Sequence, residues 1–343
     1  MRICYSTAAG GHLDLDFDAI AQELVRALRG HRSQTAFARR LGYQSNAVYT
    51  WESGRRSPTA STFLAAAAKV GVDVPSALQR FYRDAPAPDL DLASAAGVAA
   101  LLTDLKGDQP LAEVAARAER SRFAVSRWLK GQAEPRLPDL LRMVEATSLR
   151  LLDFVALFAD PTELPSTRKA WDRLEAARQL ARSSPWANVV LLGLELAPYR
   201  ERPAHDDLLL AEKLGLPTAQ VRDAIRLLEK AGQIRRLGQH YVPVEVQAVD
   251  LRGARPDSSL KRFWAEVAVE RMPAGMSSYN VFTISSADLQ RLEEMQRAHY
   301  RAIRAVIADS SPAEHVVLVS MHLAALDQDS TPPSATTGRS PNR

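Results

Sequence analysis

The sequence predicts a mainly α protein with a small α/β part at its C-terminal end, and three observations carry that prediction. Helical periodicity dominates to about residue 232. Within it, AVYTWESGRRSPTASTFLAAAAKV (Ala47 to Val70) returns 77 positions later as AVSRWLKGQAEPRLPDLLRMVEAT (Ala124 to Thr147). Trp51 falls on Trp128, Gly54 on Gly131, Pro58 on Pro135, Leu64 on Leu141 and Phe81 on Phe158. Strand character comes only late, in IRRLGQHYVPVEV, YNVFTIS and EHVVLVSMHL, which are rich in Val, Ile and aromatics.

A chain of 343 residues exceeds one ordinary domain, and 46% apolar residues suffice for several cores. The expected order is a flexible leader over 1–17, a first helical unit over 18–82, a Pro/Asp linker over 83–96 and a second helical unit over 97–160. A third unit over 161–246, a small α/β domain over 247–326 and a disordered Pro/Ser/Thr tail over 327–343 complete it. Net charge is only +4, but residues 20–82 hold nine Lys/Arg against three Asp/Glu, which points to an anionic partner, nucleic acid first. Cys4 is the sole cysteine, so no disulfide framework forms, which fits a reducing cytoplasm. No run approaches a membrane span, and MRICYSTAAGG lacks the apolar core of a signal peptide.

The first unit reads element by element. Asp14, Asp16 and Asp18 alternate as calcium loops do, but no Gly or closing Glu follows in register; they put negative charge ahead of a helix starting near Asp18. Ile20 to Leu28 forms that helix. Ser33 is an N-cap for Gln34 to Leu41, and Gly42 permits a tight turn. Gln44 to Trp51 makes a third helix with Val48 and Trp51 inward, and Pro58-Thr59 starts a fourth. The Ser33-Gln34 start, Ala38, Gly42, Val48, Trp51-Glu52, Gly54, Pro58 and Leu64 together resemble the Cro/C1 (Xre-type) DNA-binding domain over about 18–82. That resemblance implies a third helix in the major groove of double-stranded DNA. Gln44, Ser45, Asn46, Tyr49 and Thr50 would then face base edges, and Gln34, Arg55 and Arg56 phosphates.

The second copy, about 97–158, keeps Val114, Ala115, Val125, Trp128, Leu141, Val144 and Phe158 inward. It departs at the surface: Leu111 stands at the Gln34 position, and Glu119 replaces Gly42 where positive φ is often wanted. Its candidate DNA contacts are Ser121, Arg122, Arg127 and Lys130; packing or dimerisation is the competing role. Farther on, Leu208–Leu214, the turn Gly215-Leu216-Pro217, Thr218–Lys230 and a hairpin of 234–237 with 241–244 are similar to a winged helix over roughly 186–246. Its implied readers are Thr218, Gln220, Arg222 and Arg226, with Arg235, Arg236 and His240 on the wing. Asp223 stands against phosphate contact there, so DNA contact and packing both remain open.

The whole arrangement resembles a class of uncharacterised bacterial regulators with Xre-type modules in front, a winged helix in the middle and a small α/β domain behind. KRFWAEVAVERM, YNVFTISSADLQRLEE and EHVVLVSMHLAAL carry the last part. Strands at 278–285 and 314–324 would build a modest sheet for dimerisation or an unidentified effector; Trp264, Tyr279 and Phe282 mark a candidate pocket, with core packing the favoured reason for those aromatics. No GxGxxG, Walker, HExxH or GxSxG motif occurs, so no catalytic residue, no cofactor and no enzyme activity are expected. His299, His315 and His322 are spaced too irregularly for a metal site. The Arg-rich stretch 168–182 reads as a solvated, salt-bridged face. The expected function is a cytoplasmic, nucleoid-associated, sequence-specific DNA-binding transcription regulator acting as a homodimer, with repression the default. The competing class is a protein-interaction scaffold whose modules have lost DNA.

Overall fold

The computed structural model describes residues 15–82, 91–244, 258–278, 280–324 and 326. The leader up to residue 14 with Cys4, the linker residues 83–90 and the tail from 327 lie outside the described residues. The first repeat is five helices: α1 (Phe17–Arg29), α2 (Gln34–Leu41), α3 (Ala47–Glu52), α4 (Ala60–Lys69) and α5 (Val74–Tyr82). The second repeats them as α6 (Ala95–Lys106), α7 (Leu111–Arg117), α8 (Arg122–Leu129), α9 (Leu137–Ser148) and α10 (Leu151–Val155).

Local chemistry sets these boundaries. Asp16 caps α1, its carboxylate accepting from the Asp18 and Ala19 amides, which is the role expected of that acidic stretch. Ser33 caps α2 through the Ala36 amide, and Gly42 closes it at φ 95°. In the second repeat Glu119 holds the equivalent turn at φ 54°, a left-handed conformation that costs a non-glycine residue roughly 1–2 kcal/mol. The turn therefore survives the loss of glycine, with local strain.

The repeats do not form separate cores. One apolar cluster runs from Ile20 through Phe37, Trp51 and Phe63 to Leu101, Trp128, Leu141 and Phe158. Phe63 meets Phe158 edge-on at 5.1 Å, and Phe81 meets Phe154 at 5.6 Å. Each large apolar side chain buried there contributes about 1.5–3 kcal/mol, and side chains such as Phe63 and Phe81 are covered in part by the other repeat.

A second body follows: α11 (Pro165–Ser183), α12 (Pro185–Gly193), α13 (Ala197–Arg200), α14 (Asp207–Leu214), α15 (Thr218–Lys230) and a hairpin of β1 (Ile234–Leu237) with β2 (His240–Pro243). β1 and β2 pair antiparallel, Ile234 opposite Pro243 and Leu237 opposite His240. Val190, Leu194, Leu210, Val221, Ile225 and Leu228 form its core. α11 is not the purely solvated face expected. Arg178 is buried and donates to both Asp153 carboxylate oxygens of α10 at 2.8 and 2.9 Å and to Glu175 at 2.8 Å. Burial works against its charge, and the Asp153 and Glu175 carboxylates outweigh it, leaving the guanidinium held above its ordinary pKa.

The last described part is α16 (Ser258–Glu270), a 3-10 turn (Met272–Ala274) and α17 (Ser286–Asp309). The strands expected over 278–285 and 314–324 are not formed among the described residues. A β-rich stretch becomes a strand only when a neighbouring edge accepts its hydrogen bonds. None is assigned beside Val281, Phe282, Val317 and Val319, which stay exposed. Of the aromatics at the candidate pocket, Trp264 packs on Trp186 and Phe263 at 5.7 and 5.0 Å, Phe282 is exposed, and Tyr279 lies outside the described residues.

Candidate nucleic-acid interface

The third helix of the first repeat begins about one turn later than the periodicity implies. Asn46 accepts from the Tyr49 amide at 3.2 Å and starts α3 at Ala47, which leaves Gln44 and Ser45 in the turn ahead of the helix. Gln44, Ser45, Asn46 and Tyr49 are exposed. Asn46 therefore spends its carbonyl oxygen on the cap and keeps its amide to donate. Thr50 donates to the Ala47 carbonyl at 2.7 Å and is half-buried. Arg55 and Arg56 follow in the exposed loop, Arg55 lying 5.3 Å over the Tyr49 ring.

The floor beneath α3 is charged. Glu52, 6% exposed, accepts from Arg29 Nε at 2.6 Å and from Gln34 Nε2 at 2.7 Å, while Arg26 donates to its backbone carbonyl at 2.7 Å. Glu52 is the only acid between Ser33 and Ala60, and it faces inward. The outward surface from Gly42 to Ser57 thus carries cations and neutral polar groups without a carboxylate, the balance that a phosphate backbone favours. Gln34 is tied to this clamp, with its exposure only partial.

The second repeat presents another set. Ser121 caps α8 through the Ala124 amide at 3.1 Å, and Arg122, Arg127 and Lys130 are exposed. Sequence reasoning passed over Phe123, whose ring is 73% exposed at the front of α8 with Arg127 5.8 Å from its centroid. The signal was available: the 77-residue offset sets Phe123 on Asn46.

The third group of candidates is more heavily engaged. Thr218 and Gln220 are half-buried at the start of α15. Arg222 donates to Asp207 at 2.8 Å and Arg226 is paired to Asp223. Asp207 also receives His205 Nε2 at 2.7 Å, and His205 Nδ1 meets the Tyr199 hydroxyl at 2.9 Å, which accepts from the Tyr241 amide. Burial pushes the Tyr199 phenol up; with Nε2 donating to the Asp207 carboxylate, the neutral His205 tautomer leaves Nδ1 to accept from the Tyr199 hydroxyl. This chain staples the hairpin to α14 and α15. Arg235 and Arg236 point outward from β1.

No group of three or more His, Cys, Asp or Glu side chains able to hold a metal occurs among the described residues, and no helix is long and apolar enough to cross a membrane. Residues 23–79 match the family model described as a helix-turn-helix domain. No curated protein matches the chain, and no solved structure does. The chain thus carries, in its first repeat, a helix-turn-helix domain of the kind found in DNA-binding regulators.

Proposed function

We propose that the protein is a sequence-specific double-stranded DNA-binding transcription regulator that lays the front of α3 in the major groove and represses by covering the site it occupies. The observation that carries this reading is the segment Gly42 to Ser57, which exposes no carboxylate and presents Gln44, Ser45 and Tyr49 with Arg55 and Arg56. Gln can pair with adenine edges, Ser reads less selectively, and the two arginines supply the salt-sensitive attachment to phosphates. The helix-turn-helix match over 23–79 covers the same residues.

The test is binding of labelled duplexes drawn from a random pool, followed at several salt concentrations. Arg55→Ala and Arg56→Ala should weaken all duplexes alike and each lower the salt slope by about 1. Gln44→Ala should leave that slope unchanged and relax discrimination at one base pair, by about 1–3 kcal/mol. Equal attachment to every duplex by the unaltered protein would overturn the proposal.

A further inference from the structure

We infer that the two repeats act as a dimer folded into one chain, and that a single molecule therefore recognises two unlike half-sites set in inverted orientation on one duplex. This rests on the DNA-binding reading and adds the form of the target to it.

The contacts between the repeats are reciprocal. α1 packs on α9, while α6, the second repeat's counterpart of α1, packs on α4, the first repeat's counterpart of α9; α4 and α9 also meet each other. At the centre the chain crosses itself antiparallel. The Ala60 amide donates to the Pro135 carbonyl at 3.0 Å, and the Leu137 amide donates to the Pro58 carbonyl at 2.9 Å, with Thr59 opposite Arg136. Pro58 and Pro135, Thr59 and Arg136, Ala60 and Leu137 are each 77 positions apart. Thr59 thus faces its own counterpart, and the two flanking hydrogen bonds are counterparts of each other, so the crossing maps onto itself when the repeats are exchanged. A head-to-tail tandem would bring unlike faces together; only a two-fold relation brings like onto like.

Rotation about a two-fold axis leaves direction along that axis unchanged. Whichever end of the axis the front of α3 faces, the front of α8 faces the same end. Reading helices related in this way address inverted half-sites, as in symmetric helix-turn-helix dimers, with centres roughly 34 Å or about 10 base pairs apart. Here the tips differ. The first offers Gln44, suited to adenine edges, with Ser45 and Tyr49; the second offers Arg122, Arg127 and the exposed Phe123 ring. Arginine pairs bidentately with guanine, and an aromatic ring packs on a thymine methyl. The target is therefore asymmetric and gives the bound protein a fixed direction on the duplex.

The experiment uses the full chain in a selection from random duplexes, then native mass spectrometry of the selected complex. The expected result is one chain per duplex on two dissimilar inverted half-sites. Arg122→Ala with Phe123→Ala should relax the second half alone, and Gln44→Ala with Tyr49→Ala the first alone, each by roughly 5- to 150-fold. All four side chains lie on the surface, and a thermal melt confirms the fold of each variant. Two chains on a symmetric palindrome, a single half-site indifferent to the Arg122/Phe123 pair, or two direct repeats would each overturn the internal dimer while leaving DNA reading by α3 standing. No selectivity for any duplex would sink both.

Discussion

Beneath α3 of the first repeat lies a clamp of charges; beneath α8 of the second lies hydrocarbon. Glu52 corresponds to Leu129, Gln34 to Leu111, Arg26 to Thr103 and Arg29 to Lys106. Leu111 and Leu129 both pack on the shared core. The substitutions are therefore correlated: where the acid is absent its amide partner is absent too, so neither half of the Glu52–Gln34 pair is left in the second repeat without the other. That agrees with the general finding that a buried ion pair can be exchanged whole for apolar side chains at little cost, whereas halving it is expensive. The exchange leaves a trace. Gln22 lies against Gly54 in the first repeat, while its counterpart Ala99 is too short, and an open cleft of about 640 Å³ remains beside Ala99, Thr103, Leu129 and Gly131.

The largest expected effect tests whether the two repeats are one folding unit. Trp51 and Trp128 are equally buried at 8% exposure. Trp51→Ala and Trp128→Ala should each destabilise residues 17–158 as a whole by about 3–5 kcal/mol in denaturant unfolding. A Trp128→Ala protein that kept the first repeat intact in a separate transition would break the shared core. Next, Glu52→Ala should cost about 2–3 kcal/mol, less than a fully buried pair because Arg29 keeps partial solvent contact. Glu52→Leu with Gln34→Leu should lose less than the two single changes together, by double-mutant cycle.

Two smaller changes sharpen the comparison. Glu119→Gly should raise the melting stability by about 1 kcal/mol, since it relieves the left-handed turn at φ 54°. Gly42→Glu should lower it by about as much or more. Last, Ser33→Ala should cost about 1 kcal/mol or less, as a lost helix cap. Pro110, at the equivalent place in the second repeat, makes no side-chain cap, so Pro110→Ala has no such bond to lose.

Much of this molecule was written in short stretches of sequence. Caps at Asp16 and Ser33, the Gly42 turn, the helix over Thr218–Lys230 and the hairpin at Gly238 depend on residues within a few positions of one another. Local sterics and hydrogen bonds specify them, so period and composition reveal them. The 77-residue repeat was equally visible, and with it the candidate reading surface. Where a local competitor intervened, the reading slipped: Asn46 took the Tyr49 amide and moved the start of α3.

What the chain folded into beyond that was decided by contacts far apart in sequence. Nothing in residues 58–60 or 135–137 alone announces that they cross one another. Nothing local marks Arg178 as the arginine of its helix that is buried against Asp153. The stretches near 281 and 317, rich in Val, Ile or aromatics, have strand composition and form no strand among the described residues, because a strand is a relation between segments and composition describes only one of them. Periodicity shows which face of an element is apolar; it does not say which other face will cover it.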